Sequence, residues 1–340
     1  MVLVLLMAHS SMDKLIFYGF IMLSMHLFLI ICYATFCYLR YEECVLPSIK
    51  RIHKKYLKDL SSFAGWTIYG TACLTGSDQG ISIVLNRSFG TVVNGAWGIG
   101  NQVAGYTNIL SSAIVNAMRP QIVKAEGSGD RGRAIWLSNI LSKLVFFLIS
   151  IIGIPFIFEI DSILKVWLGN PPDNSSFFCI MFIVALLFDA LTIGMTHINS
   201  AIGHIKFYTI MMNTPKLLTL GFAILFIHQS DMPVKLAIVY VAIEGICAFM
   251  RIPIVARQSG LNVKQFFKDV IAKEIIAAVI CAATCILCVS LMSFKWRFIV
   301  TLICSALVYS VCMYFIGLTK KEREIVLGLK DSLLAKIRKK

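Results

Sequence analysis

The sequence is poor in charge and rich in apolar side chains. Only 15% of its 340 residues are Asp, Glu, Lys or Arg, whereas 58% are hydrophobic. A soluble domain needs more polar surface than this, so the composition excludes an ordinary water-soluble globular protein and predicts a membrane protein. The sequence also lacks common enzyme motifs, because it contains no GxSxG, no HExxH and no phosphate-binding loop. We therefore expect no enzymatic activity, no cofactor and no metal site.

Long polar segments are lacking as well. No connection between apolar stretches is long enough to fold as a separate domain, and the longest one covers residues 39–61. Its apolar residues recur at helical spacing among lysines, which predicts an interfacial amphipathic helix. Activity is therefore expected within the bilayer rather than in an external domain.

Nine apolar stretches of about 20 residues are long enough to cross a bilayer. They cover residues 15–38, 62–85, 91–118, 135–158, 176–200, 207–228, 234–256, 271–293 and 297–318. The sequence thus predicts an all-α, polytopic membrane bundle. Residues 1–9 are also apolar but lack the flanks of a signal peptide, so we expect the chain to begin inside a span.

Basic residues are distributed unevenly among the connecting segments. Alternate segments hold 24 of the 32 Lys and Arg residues, at 40–58, 119–133, 206, 251–273 and 320–340. Because cytoplasmic loops carry an excess of Lys and Arg, these segments and the C-terminus are predicted to be cytoplasmic. The net charge of +14 is then explained by the orientation of the chain in the membrane, and we expect no nucleic-acid partner.

The basic tail at 319–340 has its own helical pattern. Thr319 and Glu322 have the spacing of a capping box, in which the two residues satisfy each other's backbone N–H groups at a helix start. Apolar residues then recur beside lysines, which predicts an amphipathic helix on the inner membrane surface. A solvated tail is the alternative.

The stretch 91–118 carries small and polar residues at regular spacing. At about 100° per residue, seven of them fall within an arc of about 80° on one helix face. This set, here named the polar stripe, comprises Asn94, Gly98, Asn101, Gly105, Asn108, Ser112 and Asn116. Two interpretations stay open: the stripe packs closely against another helix, or it lines a hydrated substrate cavity.

Ionisable residues inside predicted spans are costly and are therefore functional candidates. Asp78, Asp189 and His197 are candidates for proton or ion coupling; a carboxylate paired with lysine and a structural histidine are the alternatives. Lys216 follows a proline near the middle of its span and is a candidate for binding an anionic substrate group. Lys143 is a second such candidate, unless it extends from its span end towards the membrane surface.

Five stretches resemble the polysaccharide-exporting branch of the MOP (MATE-like) superfamily, the Wzx-type flippases of lipid-linked oligosaccharides. The stretches are "FAGWTIYG" (63–70), "VLNRSFGTVVNGAWGIGNQV" (84–103), "AMRPQIVKAEGSGD" (117–130), "IDSILKVWLGNPPD" (160–173) and "AIGHIKFYTI" (201–210). The likeness runs from about residue 13 to the C-terminus. It implies a fold of two six-helix lobes around a cavity, followed by two further helices.

The resemblance also implies a domain organisation. Residues 1–38 would be a remnant of the first lobe, 39–61 a basic cytoplasmic linker helix, and 62–256 the second six-helix lobe. Residues 271–318 would be the two extra spans. Most of a first lobe is then missing, so we expect an N-terminally truncated sequence.

The function implied by the resemblance is transport across the bacterial cytoplasmic membrane. The substrate would be an undecaprenyl-pyrophosphate-linked oligosaccharide for surface polysaccharide or O-antigen synthesis. Partners would be membrane lipids, a polysaccharide polymerase and glycosyltransferases. Cationic cavity residues would meet the pyrophosphate, and by residue type the candidates are Lys216, Lys143 and Arg87.

Two alternatives to the flippase remain. The chain could be an inactive fragment or a scaffold that transports nothing. It could also be a MATE-like exporter of small cationic molecules, which a cavity richer in acidic than in basic residues would favour.

Overall fold

The protein is described from a computed structural model that covers residues 13–42, 44, 54–292, 294, 296–319 and 322–324. Those residues contain α-helices, short 3₁₀ and π segments and connecting turns, and no β-strand. The predicted all-α class is therefore confirmed. The apolar stub at 1–9, residues 43 and 45–53 of the predicted linker and the tail beyond 324 lie outside the described residues.

The chain divides into two compact units, residues 1–60 and 61–340. The first contains helix α1 (Lys14–Arg40), whose apolar side chains are almost all exposed, as suits a helix surrounded by lipid. Helix α2 (Lys54–Gly127) begins near the end of this unit, and most of its length belongs to the second.

The second unit continues with helices that pack into a bundle. Its helices after α2 are α3 (Arg131–Leu168), α4 (Ser175–Ile202), α5 (Ile205–Asn213), α6 (Leu217–Leu225), α7 (Met232–Ser259), α8 (Val263–Phe266), α9 (Ala272–Leu291) and α10 (Arg297–Cys312). Helix α4 lies between α3 and α7, and the antiparallel pair α9 and α10 packs on the other side against α3. Two π-helical segments, Phe267–Ile271 and Met313–Gly317, adjoin that pair.

Among the residues that the structure describes, six helical segments have the length and apolar composition to cross a membrane. They are Ile16–Arg40, Arg131–Leu168, Ser175–Ile202, Met232–Ser259, Val263–Leu291 and Arg297–Gly317. The chain is therefore a multi-pass membrane protein of the α-helical class. The predicted spans at 62–85, 91–118 and 207–228 are not among the six.

Two physical reasons account for this difference. Residues 62–85 and 91–118 belong to the 74-residue helix α2, which is kinked at Gly90 and is the least apolar of the long helices. Residues 207–228 do not form one helix, because a 3₁₀ turn at Thr214–Lys216 separates the nine-residue helices α5 and α6. Pro215 lies in that turn and cannot donate the backbone hydrogen bond that a continuous helix requires.

Close helix contacts depend on glycines at a few positions. A Cβ atom added to Gly194 of α4 would lie 1.9 Å from the carbonyl oxygen of Ser138 in α3, so the two backbones are in direct contact. Likewise, a Cβ atom on Gly100 of α2 would lie 3.0 Å from the backbone of Phe178 in α4. Small residues that admit a neighbouring backbone are typical of membrane helix interfaces.

Candidate functional site

A polar cavity lies inside the second unit, between α2, α4, α7 and the 3₁₀ turn. Its volume is 220 Å³. The side chains that surround it are Asn101, Ala104, Gly105, Asn108, Phe182, Ala185, Leu186, Asp189, Lys216, Tyr240 and Glu244. Two amides, two carboxylates and one ammonium group therefore share this cavity.

Helix α2 contributes the two amide groups. Asn101, Gly105 and Asn108 are successive members of the polar stripe, and all three line the cavity. The Asn108 side-chain carbonyl also accepts a hydrogen bond from the hydroxyl of Ser111 on the same helix. Local pairing fixes the orientation of this amide and leaves its NH₂ group available as a donor.

The rest of the stripe lies outside the cavity. Gly98, Ser112 and Asn116 are exposed on α2. Asn94 is half-buried, and its side-chain oxygen accepts a hydrogen bond of 3.0 Å from the hydroxyl of Ser82, which lies on the other side of the kink at Gly90. Asn101, Gly105 and Asn108 are exposed as well, so the centre of the stripe differs from its ends in bordering the cavity and not in burial.

The stripe glycines do not meet a neighbouring helix in the described part of the chain. A Cβ atom added to Gly98 or Gly105 would have no atom within 4 Å outside its own helix. Close packing of α2 instead involves Gly100, which lies on a different face against α4. The close helix contact that the packing interpretation expects at the polar stripe is thus made by Gly100, which is not part of the stripe.

Lys216 reaches the cavity because the helix is broken there. Its backbone carbonyl accepts a hydrogen bond of 2.9 Å from the Ser77 hydroxyl of α2, and the hydroxyl of neighbouring Thr214 lies 2.8 Å from that of Tyr69. The Ser77 hydroxyl thus satisfies one of the backbone carbonyls that the broken helix leaves without a helical partner.

The charges of the cavity form two ion pairs. The Lys216 ammonium lies 2.6 Å from a carboxylate oxygen of Glu244 on α7. The Arg251 guanidinium, also on α7, lies 2.7 Å from a carboxylate oxygen of Asp189 on α4 and donates to the Thr192 hydroxyl at 3.0 Å. Each acid has a cation beside it, so the four groups together are charge-balanced.

Arg251, which the sequence predicts to be a charge at the cytoplasmic membrane boundary, has a buried side chain. It is 6% exposed and extends from α7 towards α4. Asp189 on the adjacent helix α4 explains this burial, because its carboxylate neutralises the Arg251 guanidinium.

The other predicted cations lie away from the cavity. Lys143 is buried, and its ammonium lies 2.9 Å from Glu322, which supplies the anion that the sequence requires but does not identify. Arg87 is exposed on α2, three residues before the kink. Of the three cations proposed by residue type, Lys216 alone lines this cavity.

The candidates for ion coupling are also separated. Asp189 lines the cavity, whereas Asp78 is exposed on α2 beside Ser77. His197 is half-buried two turns along α4 from Asp189 and does not line the cavity. The structure therefore brings together Asp189 and Lys216 and leaves Asp78 and His197 outside.

Sequence reasoning missed several cavity residues, among them Tyr240 and Phe182. Tyr240 lies four residues before Glu244 on α7, and this spacing places both on one helix face. That spacing was a usable signal. Phe182 contacts Tyr240 with ring centroids 5.0 Å apart, and nothing in its sequence neighbourhood distinguishes it from other apolar residues of α4.

Fold and site together define a multi-pass membrane protein whose long apolar helices are compatible with a transporter. No protein-family model, curated protein or solved structure matches the chain.

Proposed function

We propose that the protein is a transporter of a lipid-linked oligosaccharide and that the 220 Å³ cavity binds a polar part of that substrate. One observation carries the proposal: Asn101 and Asn108 of α2 meet Lys216 in a polar cavity that the membrane-length helices α4 and α7 also line. Polar groups at this depth are costly unless they serve a partner or a water-filled path.

The residue chemistry fits a sugar joined to a phosphate. Each amide offers both donors and an acceptor, which suits hydroxyl groups without selecting a single sugar. Lys216 offers a compact positive charge for a phosphate oxygen, provided that the substrate displaces Glu244 from it. Substrate binding and opening of the Lys216–Glu244 pair are therefore the same event in this proposal.

The size of the cavity limits what it holds at one time. Pockets for drug-sized ligands enclose about 300–1,000 Å³, whereas this one encloses 220 Å³. It therefore accommodates about one sugar or phosphate group rather than a whole oligosaccharide.

A second candidate function is export of small organic cations. Asp189 and Glu244 both line the cavity, against Lys216 alone among the cations. Two carboxylates are the groups expected around a cationic substrate, so this observation favours the second candidate. The two functions predict substrates of opposite charge. An anionic phosphate would displace Glu244 from Lys216, whereas an organic cation would displace Lys216 from Glu244.

The test uses the purified full chain in vesicles that contain a fluorescent undecaprenyl-pyrophosphate oligosaccharide. Movement between leaflets is followed by quenching from outside. Asn108→Leu removes a cavity amide, and Asn116→Leu is the matched control on the same helix face but outside the cavity. Loss of one substrate hydrogen bond of about 1–1.5 kcal/mol predicts a rate about 5- to 13-fold lower for the first variant.

The control variant is expected to stay within about twofold of the unmodified rate, since a surface substitution changes little. Equal slowing in both variants, or no movement above protein-free vesicles, would reject the lipid-linked substrate. Competition separates the two candidates: an excess of a small quaternary ammonium cation slows the movement only if cations occupy this cavity.

A further inference from the structure

A carboxyl group without an adequate partner lies between α9 and α10, outside the cavity described above. Glu274 of α9 is fully buried, with 0% of its surface exposed. One of its oxygens lies 3.4 Å from the Tyr309 hydroxyl of α10, and the other has no hydrogen-bond partner among the described residues. A buried ionised carboxylate needs much stronger compensation than one long hydrogen bond.

The nearby lysine is already fully engaged. Lys143 of α3 donates to both carboxylate oxygens of Glu322, at 3.0 and 2.9 Å, and to the carbonyl oxygen of Gly317 at 3.4 Å. An ammonium group has three N–H donors. All three are used, so Lys143 offers no hydrogen bond to Glu274 in this arrangement.

The charged and titratable groups around Glu274 come from every neighbouring element. They are Lys143 on α3, Tyr309 on α10, Glu322 in the segment after α10, and Lys273 on the same helix. Lys273 is directed towards Asp269, at 3.9 Å, and is partly exposed. One buried lysine therefore serves two carboxyl groups, and it is bound to Glu322.

We infer that Glu274 is a proton-binding site and that Lys143 is shared between Glu322 and Glu274. While Lys143 is bound to Glu322, the carboxyl of Glu274 stays neutral and holds its proton. When Glu322 moves away, the Lys143 ammonium pairs with Glu274, whose O–H bond breaks and releases the proton to water. The position of the Glu322 side chain and the charge of Glu274 are thereby linked.

The local backbone is consistent with such movement. The π-helical segment Phe267–Ile271 directly precedes α9, and the segment Met313–Gly317 carries the carbonyl that accepts from Lys143. π-helical turns are rare and occur frequently at functional sites. A 410 Å³ cavity bordered by Lys143, Glu322 and Asp269 gives water a place beside the ion pair of Lys143 and Glu322.

Infrared spectroscopy of the purified full chain tests the inference, since a neutral carboxyl and a carboxylate absorb at different frequencies. The unmodified protein is expected to show a neutral carboxyl band at neutral pH that Glu274→Gln removes. Glu322→Gln is expected to abolish the same band, because the released Lys143 then ionises Glu274. Glu324→Gln, an exposed neighbour, is the matched control and leaves the band unchanged.

A second variant keeps the test decisive if Glu322→Gln does not fold. Lys143→Met removes the shared cation, so Glu274 is expected to keep its neutral band even at alkaline pH, where the unmodified protein loses it. Absence of a Glu274-dependent band in the unmodified protein overturns the inference. So does persistence of the band in folded Glu322→Gln, or its loss in Lys143→Met. The readout needs no substrate, so it is independent of the proposed transport function.

Discussion

The ion pair between Lys216 and Glu244 gives the sharpest energetic prediction. Three variants remove the ammonium, the carboxylate or both: Lys216→Met, Glu244→Gln and the double variant. If the two groups stabilise each other, each single variant leaves one charge without its partner inside the bundle. The double variant leaves no unpaired charge, so much of the lost stability is expected to return.

The geometry sets the magnitude. At 2.6 Å and an effective dielectric constant of about 20, the Coulomb attraction is about 6 kcal/mol before desolvation is subtracted. Breaking a fully buried pair costs about 3–5 kcal/mol. Here 21% of the Lys216 side chain and 9% of the Glu244 side chain remain exposed, which reduces the expected cost to about 2 kcal/mol for each single variant. The double variant is expected to lose about 1 kcal/mol, so the coupling is about 3 kcal/mol.

The assay is unfolding of the purified protein in mixed micelles, with the free energy of unfolding compared across the four proteins. Additive effects, in which the double variant loses the sum of both single losses, would refute the pairing of these residues. Transport rates measured on the same preparations show whether the pair also takes part in function.

Two further predictions concern packing and charge elsewhere in the bundle. Gly194→Ala is expected to destabilise the protein by about 3 kcal/mol or more, because the added methyl group overlaps the Ser138 carbonyl oxygen. Gly98→Ala is expected to be neutral or to stabilise the protein by up to about 1 kcal/mol, because the added methyl group meets no atom and alanine favours the helix. Glu159→Gln is expected to cost about 2 kcal/mol, because Arg297 loses the carboxylate that accepts two of its hydrogen bonds while 24% of its side chain stays exposed. Asp231→Asn, in an exposed pair, is expected to change the unfolding free energy by at most about 0.5 kcal/mol. Thermal unfolding in detergent checks both, and equal shifts within either pair of variants would contradict them.

The sequence predicted the helical membrane class because apolar length alone decides it. Runs such as 135–158 and 176–200 have no soluble alternative, and both lie in membrane-length helices of the structure. Local capping was predictable as well, because it depends on residues that are close together in the sequence. Thr319 donates its backbone N–H to Glu322 at 2.7 Å, so that half of the expected capping box is confirmed.

The partners of the charged residues could not be predicted, because pairing depends on which helices become neighbours. Lys216 and Glu244 are 28 positions apart, and Lys143 and Glu322 are 179 positions apart. Burial cost requires that a partner exist, but it does not identify which acid supplies the charge. The sequence predicts the helix break at Pro215. It does not predict which residues of other helices contact the break, because that depends on the fold.

The kink at Gly90 changes how experiments along α2 must be interpreted. Its φ of 81° and ψ of 175° interrupt the helical rotation, so angular positions counted on one side do not continue on the other. A cysteine-accessibility scan through residues 62–118 is therefore expected to give two separate periodic patterns, with a jump in phase at residue 90. Fitted with a single helical period, the same data would assign lipid-facing and water-facing positions wrongly on one side of the kink.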